Sequence, residues 1–215
     1  MNPWGQLYRD NVAALVALAG DLSEEQLHTH VPATPAWTVR DVYAHLAGGA
    51  ADALAGRMDG APGPEWTARH VGERARLPLP VLLEEIVGQQ EAVAASAADS
   101  PSPALVWDVT VHHTDLHEAL GLGRPPERLW RLVLKAAGPR MVGRAGVAVR
   151  CEGQVWGEPG GDDPSEVSAY ELYRTVFSRR SRAQVRAWAG PGWTDEQVDA
   201  LGVFGPRLDD QPQPA

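Results

Sequence analysis

The chain has 215 residues, of which 44% are apolar and 22% charged, and its formal net charge is −9. It is long enough to bury a core without disulfides or other staples. A pI of 5.2 speaks against a generally basic, nucleic-acid-binding surface. Cys151 is the single cysteine, which excludes an intrachain disulfide and a Cys-rich zinc motif. The opening residues, MNPWGQLYRD, carry no basic region or long apolar run, so no signal peptide is expected. No segment approaches the ~20 apolar residues of a membrane span. The expectation is a soluble, cytoplasmic protein with neither nucleic acid nor membrane as partner. Lys135 is the sole lysine, and the wealth of Arg, Ala, Gly and Pro fits a GC-rich genome.

Residues 4–20 carry Leu7, Val12, Leu15, Val16 and Leu18 at helical spacing. Asp21 to Gln26 reads as a cap and a short helical turn. His28, His30 and Pro32 fall in a loop. Thr38 opens the next helix as its N-cap, with Asp41 three positions on in a variant capping box. This helix is predicted to run to about Arg57. Gly60 to Pro64 breaks the chain. Glu65 to His70 starts a short helical stretch, and Leu77-Pro-Leu-Pro interrupts it. Residues 80–98 form a helix with Pro80 in its first turn, and 99–103 a short linker. Residues 103–121 form the fourth long helix, stopped by Gly121 and Gly123. Four long helices with short connections predict an antiparallel bundle.

The texture changes after Pro125-Pro126. A helix is expected over 127–142, then two short strands around Glu152-Gly153. Residues 157–164 read as a loop, and 168–177 and 181–188 as short helices. The predicted organisation is a helical bundle over 1–124, a small α/β domain over 125–207 and a disordered tail over 208–215.

The fourth helix gathers Asp108, His112, His113, Asp115 and His117. At ~100° per residue, Leu105, Val109, Leu116 and Leu120 form an apolar stripe, with His112 close to its centre. Asp108 and Asp115 lie about one turn either side of it. A polar group at the edge of a buried face needs a partner, and a metal can serve. An i, i+4 pair can hold one side of an ion. Asp108/His112 and His113/His117 both have that spacing, and spacing alone does not separate them. His45, on the flank of the stripe Val39, Val42, Leu46 and Ala50, is the candidate third ligand. Three protein ligands plus an open position suit catalytic zinc; the same donors suit iron or nickel.

Residues 34–49 (TPAWTVRDVYAHLAGG) resemble the second-helix signature of the DinB-like superfamily. More closely, they resemble the mycothiol-dependent maleylpyruvate isomerase family. Trp37, Val39, Asp41, His45 and Leu46 match its W-x-V-x-D-x-x-x-H-L. The run from Asp108 through His112 and Asp115 to Leu116 is similar to its E-x-x-x-H-x-x-D-L. Residues 65–85 are similar to the approach to its third helix. Phe177 to Gln184 resembles its G-R-x-S-like element, with Ser178 in place of glycine. The likeness spans almost the whole chain.

The resemblance implies a DinB-like up-down four-helix bundle followed by a small C-terminal α/β domain, a mainly α fold. It implies a divalent metal, Zn2+ above Ni2+ or Fe2+, on His45, Asp108 and His112. Asp108 stands where the isomerase has the longer Glu. It implies mycothiol as the thiol cosubstrate and a small electrophile such as maleylpyruvate as substrate, with isomerisation or S-transfer as outcome. The metal would lower the thiol pKa, and addition to the activated double bond would permit rotation before elimination. Arg179 is the candidate catalytic residue, a bidentate clamp for the substrate carboxylate, with Arg180 and Arg182 beside it. Arg180 and Asp115 are assigned to substrate binding; Asp115 reads equally as a partner that orients a ligand or as a structural residue. His70, His113 and His117 are expected at the surface, Trp37 and Trp66 in packing, and Cys151 as a small apolar strand residue. The chain is expected to act as a monomer or homodimer. The alternative is a metal-binding sensor or binding module of the same fold without turnover.

Overall fold

Apolar residues at helical spacing bury one face of each long helix. In the computed structural model, which describes residues 3–98, 100–158 and 163–214, these helices are α1 (Pro3–Gly20), α3 (Val39–Ala55), α5 (Leu79–Ser96) and α6 (Ala104–Ala119). Two short helices, α2 (Glu24–Leu27) and α4 (Pro64–Glu73), lie between them in sequence. Each of α1 and α3 packs against both α5 and α6, so the four close into a bundle. Leu15, Val42, Leu82, Ile86, Val106 and Leu116 are fully buried in it. Tyr43 donates its hydroxyl to the Leu15 carbonyl at 3.0 Å, tying α3 to α1. Asn11 joins three segments: its amide donates to Leu7 O and Leu129 O, and its oxygen meets His113 Nδ1 at 2.9 Å.

The starts and stops follow local chemistry. Thr38 caps α3 in a complete capping box with Asp41, and Gly56 ends it in the left-handed conformation. Ser23 caps α2 in the same way with Gln26. Gly48 on α3 sits where a Cβ would come within 2.6 Å of His70 Cβ on α4. Only a glycine lets the two helices approach this closely.

The chain divides into two compact units, one running to Leu129 together with Pro214, the other from Trp130 to Gln213. The second unit begins with α7 (Arg131–Ala145). The helix expected over 127–142 is therefore shifted. Glu127–Leu129 is a single 3-10 turn, Trp130 leaves the helical region, and α7 starts after it and runs on to a left-handed Gly146. Strands β1 (Val149–Cys151), β2 (Gln154–Trp156) and β3 (Ser165–Glu166) form a sheet ordered β2-β1-β3. β1 pairs antiparallel with β2 and parallel with β3. Glu152 and Gly153 both take positive φ, the signature of a tight two-residue hairpin. Three helices follow, α8 (Ala169–Val176), α9 (Arg182–Arg186) and α10 (Asp195–Ala200). Trp130, Tyr170, Tyr173 and Phe177 pack as an aromatic cluster.

β3 and α10 were not anticipated from sequence. Half of the loop expected over 157–164, and Asp99 of the linker, lie outside the described residues. The expected disordered tail is corrected. Gln184 holds Gln211 from both sides, through Gln211 N and O at 3.0 and 2.6 Å. Gln211 is buried, and Arg124 donates to Pro214 O at 3.0 Å. Among the described residues, no helix is long and apolar enough to cross a membrane.

Candidate metal centre

The capping box at Thr38 fixes where α3 begins and with it the face that carries His45. On α6, Asp108 and His112 stand one turn apart on the face that meets α3. His45 Nε2 lies 3.3 Å from Asp108 Oδ2, and His112 Nε2 lies 3.5 Å from Asp108 Oδ1. One donor atom from each of the three residues falls within 4.8 Å of the others. Two ligands at about 2.0–2.1 Å from a tetrahedral ion sit roughly 3.4 Å apart, so these two separations already match a shared ion. His45 and His112 are buried, whereas the Asp108 side chain is 34% exposed and forms the rim.

Each imidazole has a polar neighbour beside its outer nitrogen, and for His45 the contact is a hydrogen bond. His112 Nδ1 lies 3.1 Å from Asp115 Oδ2, off the line of a good hydrogen bond. His45 Nδ1 lies 3.2 Å from His70 Nδ1, and His70 Nε2 lies 3.1 Å from Asp52 Oδ2. With the proton on Nδ1 of each ligand ring, two Nε2 lone pairs and a carboxylate would converge on one point, an arrangement that a cation satisfies. The donor set therefore fits a divalent metal, and imidazoles backed by acceptors on their far nitrogens are the usual support for one.

Aromatic rings hold the imidazoles. Trp37 packs at 4.7 Å from His45 and 5.8 Å from His112, centroid to centroid. Trp66 meets His70 edge-on at 4.1 Å and donates its indole N–H to Arg57 O. Asp52 is ion-paired to Arg57 and Arg69. Burial pushes its carboxyl up, but Arg69, His70 and Arg57 outweigh that and hold it below the ordinary value. Burial pushes His70 down, against the pull of Asp52, so His70 is neutral. Tyr8 on α1 feels the site: burial first, and the Asp108 charge second, push its phenol well above the ordinary range.

Several expectations are corrected here. His70 and His113 are buried rather than superficial. The rival pair His113/His117 does not join the cluster: His113 Nδ1 bonds Asn11 and its ring packs on His117 at 4.9 Å. Asp115, expected at the substrate, is buried behind His112. In the second unit, Arg180, expected at the substrate, forms a bidentate pair with Glu171 at 2.6 and 3.0 Å. Arg179 donates to Phe177 O at 2.8 Å and lies 5.8 Å over the Phe204 ring. Ser178 takes φ 57 where the family pattern has glycine. Its hydroxyl donates to Gly205 O at 2.9 Å and accepts from Phe204 N at 3.1 Å. Sequence reasoning missed Asp52, Tyr8 and the role of His70; only Asp52, two turns beyond His45 on one helix face, left a trace in the spacing.

No curated protein matches the sequence. The crystal structure of the mycothiol-dependent maleylpyruvate isomerase aligns with a TM-score of 0.53 at 15% identity, covering 82% of this chain and 88% of that one. This likeness establishes the fold, a DinB-like one. The family model described as the mycothiol maleylpyruvate isomerase N-terminal domain matches residues 8–156. With more than half of its length matched, the chain belongs to the mycothiol maleylpyruvate isomerase N-terminal domain family.

Proposed function

We propose that the protein is a metal-dependent enzyme that uses a low-molecular-weight thiol, mycothiol in this family, to isomerise or S-conjugate a small electrophile such as maleylpyruvate. The observation that carries this reading is the convergence of His45, Asp108 and His112 within 4.8 Å. A divalent ion held there, Zn2+ before Ni2+ or Fe2+, supplies the means to lower a thiol pKa so that thiolate is available at neutral pH.

The chain's own residues do the rest. His45 and His112 offer neutral donors from the buried side, and Asp108 offers the single negative charge from the rim. One carboxylate does not neutralise a divalent ion, which favours an anionic fourth partner. Trp37 covers the imidazoles and keeps water from their faces. Arg179 is the proposed clamp for the substrate carboxylate, since a guanidinium pairs with it in bidentate fashion. The expected setting is the cytoplasm, and the partners are two small molecules.

The test is metal content by mass spectrometry on untagged protein, followed by electrophile consumption with and without thiol. The reading expects about one divalent ion per chain and thiol-dependent turnover that is lost in His45→Ala and His112→Ala. Failure to take up metal on reconstitution would overturn it. The shorter Asp108 favours one second reading, a metal-binding sensor of the same fold. Metal uptake without turnover would select it.

A further inference from the structure

His70 comes from α4, outside the four bundle helices, yet its ring is fully buried between two polar residues of α3. Those residues, His45 and Asp52, are seven apart and so share a helix face. Asp52 is buried with its charge retained by two arginines. As a carboxylate it can only accept, so the proton between Asp52 Oδ2 and His70 Nε2 belongs to His70. His45 Nε2 is the atom that faces Asp108, so a His45 that ligates there carries its proton on Nδ1 and donates it to His70 Nδ1, 3.2 Å away. His70 then accepts at Nδ1 and keeps its own proton on Nε2, which is what the contact with Asp52 requires.

We propose that His70 and Asp52 are positioning residues for the metal centre: the chain Asp52–His70–His45 fixes the Nδ1–H tautomer of His45 and aims its Nε2 lone pair into the site. The proposal rests on the metal-centre reading above. Every link is buried, and each direction of donation follows from the one before. Arg57 and Arg69 anchor the far end, and Trp66 holds the His70 ring edge-on.

Asp52→Asn tests the direction of the chain. The two arginines claim the amide oxygen, so the new NH2 group turns to His70 Nε2. His70 then carries its proton on Nδ1, and His45 is driven to the Nε2–H tautomer. Two readouts apply. Nitrogen-15 NMR of the ring nitrogens in metal-free protein should show His45 as Nδ1–H in the parent and Nε2–H in Asp52→Asn. Zinc affinity, by competition with a chromophoric chelator, should fall roughly 10–100-fold in the same variant. His70→Asn places a carbonyl acceptor near the original Nδ1 and should bind zinc more tightly than His70→Leu, which has none. This pair keeps the test open if Asp52→Asn folds poorly.

A parent His45 in the Nε2–H form would overturn the proposal. So would an Asp52→Asn variant with unchanged tautomer and unchanged zinc affinity. A merely structural role would lower stability without moving the tautomer. The NMR measurement needs no metal, so a parent protein that fails to bind zinc would sink the metal reading while the tautomer result still judges the relay.

Discussion

Asp115 Oδ2 stands 3.1 Å from His112 Nδ1, while Nε2 of the same ring faces Asp108. The carboxylate therefore places a negative charge directly behind a proposed ligand. Asp115→Asn keeps the shape and removes the charge. Zinc affinity measured by chelator competition should drop about 10–100-fold, with Asp108 and His45 unaltered. An unchanged affinity would show that Asp115 is only a packing residue.

Asp108 is the one exposed member of the trio. Its partial exposure makes it the ligand best able to take an added methylene, so Asp108→Glu should retain zinc to within about tenfold. Asp108→Ala removes the only charge among the donors and should cost about 100-fold or more, by analogy with the loss of a charged hydrogen-bonding partner. Mass spectrometry after dialysis against a weak chelator reads both. Equal metal retention by the alanine variant would remove Asp108 from the ligand set.

His113 gives the stability a pH dependence. Burial, and then the neighbouring His117, push its pKa down to about 3, against about 6.5 in an unfolded chain. Above pH 6.5 the ring is neutral in both states and its contribution is complete. Between pH 6.5 and about 3 the unfolded chain takes up a proton that the folded one refuses. Stability therefore falls as pH falls, by at most about 1.4 kcal/mol per pH unit. Urea unfolding between pH 7.5 and 5 should show this decline. His113→Gln should flatten it. An equally steep decline in the variant would place the effect elsewhere.

Ser178 trades backbone strain for hydrogen bonds. A non-glycine residue at φ 57 costs about 1–2 kcal/mol, and the hydroxyl offsets this through Gly205 O and Phe204 N. Ser178→Ala keeps the strain and loses both bonds, so it should destabilise by about 1–3 kcal/mol. Ser178→Gly loses the bonds but relieves the strain, and should cost less. Thermal unfolding of the two variants side by side decides; the reverse order would refute the trade.

What the sequence disclosed was whatever recurs within one helix. Helical spacing located α1, α3, α5 and α6 to within a few residues, and Thr38 with Asp41 marked the start of α3. Spacing also offered Asp108 and His112, but only the family motif ranked them above His113 and His117. The relay was hidden because it crosses elements. Nothing within residues 64–73 announces that His70 will turn inward to meet His45. Histidine near a short, charged helix reads as surface, and only the packing of α4 on α3 reverses that. Trp130 halted the helix expected from 127 through its own backbone angles, which an apolar pattern does not encode. The tail took its order from Gln184, a partner 27 residues away.

Gly48 offers no functional group, and its hydrogen is its whole contribution. A methyl there would strike the Cβ and Cγ of His70, displacing the ring by a few tenths of an ångström or more. A mutational scan would consequently rank position 48 beside the histidines themselves. Such a residue would look like part of the chemistry while supplying only vacancy, and a designer transplanting this centre to another bundle would have to carry over an empty place as faithfully as the ligands.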